Sequence, residues 1–286
     1  MIRNNAVRRV LLGGLILLGA FSRIRAADLS IIVTAGPKYS LLGDINKGKN
    51  GYLDIWADLL RSSGGAVIDN KRPVHLGLSY SVDFFLALDT AYSVGLGVGY
   101  VRARNRSEVL ISFTDGRPET SAVVETSVES VPIRLNILRH FHLTRSLNAF
   151  VKGGLELHNA KFQSSSWPAG PGDSHRQKAH SIGIGLLYGA GLEIKAVRHV
   201  ALVFEAQGNY AKIGGFSGTR DSGGSSLPYE VKGDLYFEDM TSIPPDFEKT
   251  YPLLVIYENK PAGDRVRPAR VDLSGFSLSV GLKIFF

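Results

Sequence analysis

The chain has 286 residues, no cysteine and a formal net charge of +7 at pH 7. Residues 1–26 hold five arginines and no acid, which leaves 28 basic against 26 acidic residues and a near-neutral remainder. That balance excludes a basic nucleic-acid interface, and the missing cysteine excludes a disulfide framework, a thiolate metal site and a cysteine nucleophile.

Arg3, Arg8 and Arg9 precede an apolar run from Val10 to Phe21, and Ala26 and Ala27 follow it. This is the layout of a secretory signal peptide over 1–26, with the cut after Ala26 or Ala27. The run is shorter than the ~20 residues a membrane-spanning helix needs, and no second long apolar run occurs, so a helical membrane protein is excluded.

The remainder, 27–286, reads as one domain of alternating strands. Leu29 to Tyr39 places Ile31, Val33 and Ala35 on one face. Val74, Leu76, Leu78, Tyr80 and Val82 follow, opposed by His75, Gly77, Ser79 and Ser81. Tyr92, Val94, Leu96, Val98 and Tyr100 oppose a serine and three glycines. Val131, Ile133, Leu135 and Ile137 share a face, but Val124, Thr126 and Val128 upstream sit in the other phase, through a bulge near Glu129 or a strand top outside a bilayer. Ala149 to Leu157, Ile182 to Ile194 and Val200 to Tyr210 repeat the pattern. The last strand sets Phe276, Leu278, Val280, Leu282, Ile284 and Phe286 against Gly275, Ser277, Ser279, Gly281 and Lys283. One wholly apolar face against one small or charged face is what lipid outside and a polar interior demand.

Long connections over 40–72, 103–123, 163–178 and 214–270 alternate with short ones at 85–89, 139–146 and 197–198. This order predicts an all-β fold, an eight-stranded antiparallel up-and-down transmembrane β-barrel with long extracellular loops and both ends in the periplasm.

The run Val131-Pro132-Ile133-Arg134-Leu135-Asn136-Ile137-Leu138, followed by Ala149-Phe150-Val151-Lys152-Gly153-Gly154-Leu155-Glu156-Leu157, resembles the outer membrane protein beta-barrel domain family. The terminal Phe286, with Phe276, resembles the carboxy-terminal assembly signal of such proteins. The resemblance implies a bacterial outer-membrane location and lipid and the barrel assembly machinery as partners. It implies no single activity, because the family includes adhesins and stress-linked surface proteins.

Eight strands enclose a space that side chains fill, so Arg134, Lys152, Glu156, Glu193, Lys195, Glu205 and Lys283 are expected to meet inside as paired charges. A small pore is the alternative. His75, His158 and Glu156 are the only candidates for a rim hydrolase, and no motif singles out a serine beside them. The expectation is therefore no enzyme, no cofactor and no metal site, and a structural or surface-interaction role with a protein or glycan partner. In the first long connection Tyr52, Trp56, Leu59 and Leu60 recur at helical spacing before Gly64-Gly65, predicting a helix that presents Tyr52 and Trp56 as contacts. Tyr229–Phe237 and Tyr251–Tyr257 read as strand pieces of a hairpin in the last connection.

Overall fold

The computed structural model describes residues 29–62, 64–113, 119–167, 174–223, 229–241, 249–263 and 265–286. The expected signal peptide lies outside them. The elements in chain order are β1 (Leu29–Ser40), α1 (Gly43–Ser62), β2 (Gly65–Asn70), β3 (Leu76–Ala87), β4 (Tyr92–Phe113) and β5 (Thr120–His142). Next come β6 (Leu147–Trp167), β7 (Ser174–Val197), β8 (Val200–Tyr210), β9 (Lys212–Ile213), β10 (Ser217–Gly223) and β11 (Tyr229–Thr241). The chain closes with β12 (Thr250–Tyr257), β13 (Val266–Pro268), β14 (Val271–Asp272) and β15 (Gly275–Phe285).

All strand pairings are antiparallel. Three short turns, at 88–91, 143–146 and 198–199, define a turn end, and the longer connections leave from the opposite, loop end. Near the turn end the pairings lead from β1 through β3, β4, β5, β6, β7, β8 and β15 back to β1. The loop end is different, because β7 changes neighbours along its length. Leu186–Val197 pair with β8, whereas Ser174–His180 pair with β10, and the sheet runs on through β11 to β12 instead of returning.

The expectation of an eight-stranded up-and-down barrel is thereby corrected. The described residues form fifteen strands, thirteen in one sheet and two in the small β9–β14 sheet, and the loop half of the main sheet does not close by pairing. The strand count fails because the stretches read as loops are largely strand. β4 continues to Phe113, β5 already starts at Thr120, β6 reaches Trp167, and 214–270 adds β10 and β13 to the expected hairpin, which stands as β11 paired antiparallel with β12. The upper parts of β4, β5, β6 and β7 carry their apolar residues on the inward side, so their alternation is out of phase with the lower halves.

That change of phase is the main physical feature of the molecule. On β5, Val131, Ile133, Leu135 and Ile137 are exposed while Ser130, Arg134 and Asn136 are buried; above Glu129 the order inverts, and Val124, Thr126 and Val128 are buried. The registers with β4 and β6 pass Glu129 without a shift, so no bulge causes it. On β4, Val101, Ala103, Val109 and Ile111 turn inward as Arg102, Arg104 and Arg106 turn out. Phe162 on β6 and Ala179 on β7 are buried beside the outward Lys161 and Lys178.

The inward apolar residues at the loop end join α1 and the last connection in a core that includes Leu42, Ile45, Val128, Phe162, Phe216, Leu235, Phe237, Leu254 and Ile256. A second cluster packs Leu53 and Ala57 of α1 on Val109, Ile111, Ala122 and Val124. The loop end is thus a headpiece with its own core, standing on a polar-filled half.

Candidate functional site

Period-two geometry sends every second side chain of the turn half into the enclosed interior. There Arg134 donates from Nε to Glu156 Oε1 at 2.9 Å, with its Nη1 3.9 Å from Asp83 Oδ2. Lys152 pairs with Glu205, and Lys283 Nζ lies 2.7 Å from Glu193 Oε1. Asn136 donates to Asp83 at 3.0 Å. Among the described residues of these strands, four buried cations (Lys38, Arg134, Lys152, Lys283) balance four buried carboxylates (Asp83, Glu156, Glu193, Glu205). Toward the turn end Ile32, Phe85, Leu138, Phe150 and Val203 form an apolar layer beneath the charges.

Glycines make the room. A Cβ at Gly97 would sit 1.8 Å from Asp83 Oδ1, and one at Gly191 would sit 2.4 Å from Phe150 Cζ, so a larger residue at either position would collide with the filling.

Six of the seven interior residues read from the sequence meet in these pairs. Lys195 does not: it is exposed at the end of β7, past which the β7–β8 register shifts. The alternation did not single out Asp83, which lies between the last strand residue read, Val82, and the expected turn at 85–89, or Lys38, which follows the Gly36-Pro37 break. His75 and Val74 exchange roles. Val74 is buried ahead of β3 and His75 stacks on Tyr39 at 4.9 Å, which in turn stacks on Phe276 at 5.4 Å. Phe276 and Phe286 both face outward, and the Phe286 amide donates to Leu29 O at 3.1 Å.

A serine does stand beside the expected His–carboxylate pair. Ser130 Oγ lies 3.0 Å from His158 Nδ1, and His158 Nε2 lies 3.2 Å from Glu156 Oε2. All three residues are about 1% exposed. His158 Nε2 and Glu156 Oε2 are close but not aligned for a hydrogen bond.

In the headpiece α1 spans the expected helix but begins earlier, at Gly43, and ends before Gly64, whose φ of 81° suits only glycine without strain. Its buried face is Ile45, Gly48, Leu53 and Ala57; Tyr52 and Trp56 flank it half-buried, and Leu59 faces out. Two acids pin the helix to the last connection. Asp44 takes both guanidinium nitrogens of Arg267, at 2.6 and 2.7 Å, and the Arg270 amide at 2.9 Å. Asp58 accepts from Lys249 at 2.5 Å and from the Tyr251 hydroxyl at 2.8 Å. Burial works to raise both carboxyls, yet these hydrogen bonds and the adjacent positive charges outweigh it and hold each below the usual carboxylate range. Tyr251 is pushed up to about 12 by burial and by Asp58.

No family model matches the chain, which, with the strand count, overturns the expected membership of the outer membrane protein beta-barrel domain family. No curated protein matches either. Among solved structures, Neisserial surface protein A is similar at 12% identity and a TM-score of 0.37, over 90% of this chain and 96% of that one. The outer membrane protease OmpT of Escherichia coli aligns at 8% identity and 0.43, over 90% and 96%. The attachment invasion locus protein Ail of Yersinia pestis aligns at 10% and 0.30, over 89% and 98%. At such scores the likeness carries no functional weight.

Proposed function

We propose that the chain is a bacterial outer-membrane protein whose turn half spans the bilayer with a filled, non-conducting interior, and whose headpiece meets a surface protein or glycan. One observation carries the reading: the turn half is apolar outside and charged inside. Leu76, Ile182 and Ile184 are each about 70% exposed, and Leu135, Leu278 and Phe286 are over half exposed. In water each such side chain forgoes ~1.5–3 kcal/mol of burial. A contiguous outward band of dozens of such side chains goes far beyond the scattered apolar residues of a water-facing surface, which supports a covering hydrocarbon phase.

The height of the band fits that phase. Glu129 and Arg139 bracket it on β5, and with ~3.3 Å of rise per residue and a tilt near ~40° they stand roughly 25 Å apart along the normal. Arg139 lies 5.7 Å over the Tyr92 ring and 5.1 Å over the Phe141 ring, as a cation does beside an interfacial aromatic girdle. The outward Phe276 and Phe286 suit recognition by the barrel assembly machinery, and the composition of residues 1–26 suits export.

The sealed Arg134, Phe85 and Phe150 side chains favour a plug over a pore. The burial of Ser130, His158 and Glu156 favours a structural role for that set over catalysis, because a substrate has no exposed serine to reach. In a planar bilayer the purified chain gives no steady conductance steps; open-state steps of constant size would refute the plug.

A further inference from the structure

Between α1 and the walls of the headpiece lies a cavity of about 300 Å³, formed where the loop ends of β5, β6 and β7 face β10 and β12. Its polar side is cationic. Lys49 is 4% exposed and, among the described residues, donates to neutral oxygens, the Arg72 carbonyl and Ser107 Oγ. Arg220 reaches the Tyr229 hydroxyl at 3.2 Å, and its Nε is buried without a hydrogen-bond partner among the described residues. Gln177 spends its amide nitrogen on Leu254 O, and its buried Oε1 has no hydrogen-bond partner among the described residues. No described lining residue is an Asp or Glu. The opposite side is apolar, with Ile45, Phe162 and Leu254.

A buried ammonium and the buried Nε of a half-exposed guanidinium, with no described carboxylate facing them, are costly to retain unless something anionic completes them. The interior of the turn half shows the contrast, since there every charge class is balanced within the chain. We propose that this cavity binds a small soluble amphiphilic anion, a phosphate monoester or carboxylate with a short apolar group. Lys49 and Arg220 receive the anionic end, and Ile45, Phe162 and Leu254 hold the apolar end. Burial lowers Lys49 to about 8, so it is still mainly protonated at pH 7 and available to the anion. The volume stands at the lower limit of ligand pockets, roughly 300–1,000 Å³, which admits a short chain and not a diacyl lipid. This site is separate from the membrane-spanning half and does not depend on the surface partner proposed above.

Calorimetry on the full folded chain in non-ionic detergent micelles, with blank-micelle heats subtracted, tests it using hexyl phosphate, hexanol and inorganic phosphate. Hexyl phosphate is expected to saturate one site per chain and to bind at least tenfold more tightly than hexanol or inorganic phosphate. Arg220→Gln, at a half-exposed position that leaves the core intact, weakens it at least tenfold, and Lys49→Met does so where circular dichroism shows the chain folded. Equal binding of hexanol, equal binding of inorganic phosphate, no saturable heat, or no loss in Arg220→Gln overturns the proposal. Displacement of hexyl phosphate by vesicles containing phosphatidic acid overturns the soluble source.

Discussion

Arg134 shows how much depends on single interior side chains. It is the largest fully buried residue among those described, at 2% exposure, and it neutralises Glu156 while standing beside Asp83. Arg134→Met removes the cation and leaves both acids buried, which costs ~3–5 kcal/mol. Pairing it with Glu156→Leu recovers part of that loss, because it removes one of the two stranded acids and leaves three buried cations against three buried carboxylates. Thermal unfolding in detergent, followed by gel mobility, checks the pair; equal losses in the single and double variants would show that charge balance is not what holds the interior. Arg134 and Glu156 were readable in the sequence, since both alternate regularly with outward-facing leucines. Asp83 and Lys38 were not, because each lies next to a break in the pattern, and only the register places them inside.

At the scale of elements, the docking of α1 on β12 organises the headpiece. Glycine in a helix costs ~1 kcal/mol relative to alanine, yet α1 keeps Gly48 and Gly51 on its packed face. A Cβ at Gly51 would lie 1.8 Å from Pro252 O, so the two backbones approach only where a side chain is missing. Gly51→Val therefore lifts the helix and exposes the headpiece to protease at neutral pH, while the turn half keeps its melting temperature; protection equal to that of the unchanged protein would disprove the contact.

Acid acts on the same joint. Asp44 and Asp58 have lowered folded values, so their stabilisation is complete above the ordinary carboxylate range of about 4 and fades as pH falls through those lowered values. Near-ultraviolet circular dichroism is expected to show the headpiece signal lost on acidification before the far-ultraviolet strand signal. Asp44→Asn, which gives up a charge-assisted pair worth ~1.5–3 kcal/mol, weakens the signal at neutral pH and flattens its acid dependence. An unaltered acid profile in Asp44→Asn would remove Asp44 from the joint. The helix was legible from Tyr52, Trp56, Leu59 and Leu60, but its packed face was not. Half-exposed aromatics drew attention from the small residues Gly48, Gly51 and Ala57, whose value lies in close approach and not in hydrophobicity.

For the whole molecule, the inversion at Glu129 and Arg102 divides a half that hides its charges from one that hides its apolar residues. Outward-facing apolar alternation was legible strand by strand, and so were the three turns. The number of strands was not, because above the inversion the alternation restarts in the opposite phase and merges with polar loops, and because β10–β13 pair across the headpiece and not with their neighbours in the lower half. If hydrocarbon surrounds the turn half, Leu135→Arg at mid-height costs ~2–4 kcal/mol of folding stability in vesicles, while Arg104→Leu above the band changes it little. Comparable effects at the two positions would count against a bilayer boundary between them.

The chain has no native cysteine, so single nitroxide labels can be placed along β5 without background. In vesicles, labels at Ile133, Leu135 and Ile137 are expected to collide with oxygen, which dissolves in lipid, and not with a water-soluble nickel complex, while labels at Glu125 and Ser127 show the reverse. Equal access of the nickel complex to both sets would mean that water, and not lipid, covers the apolar band.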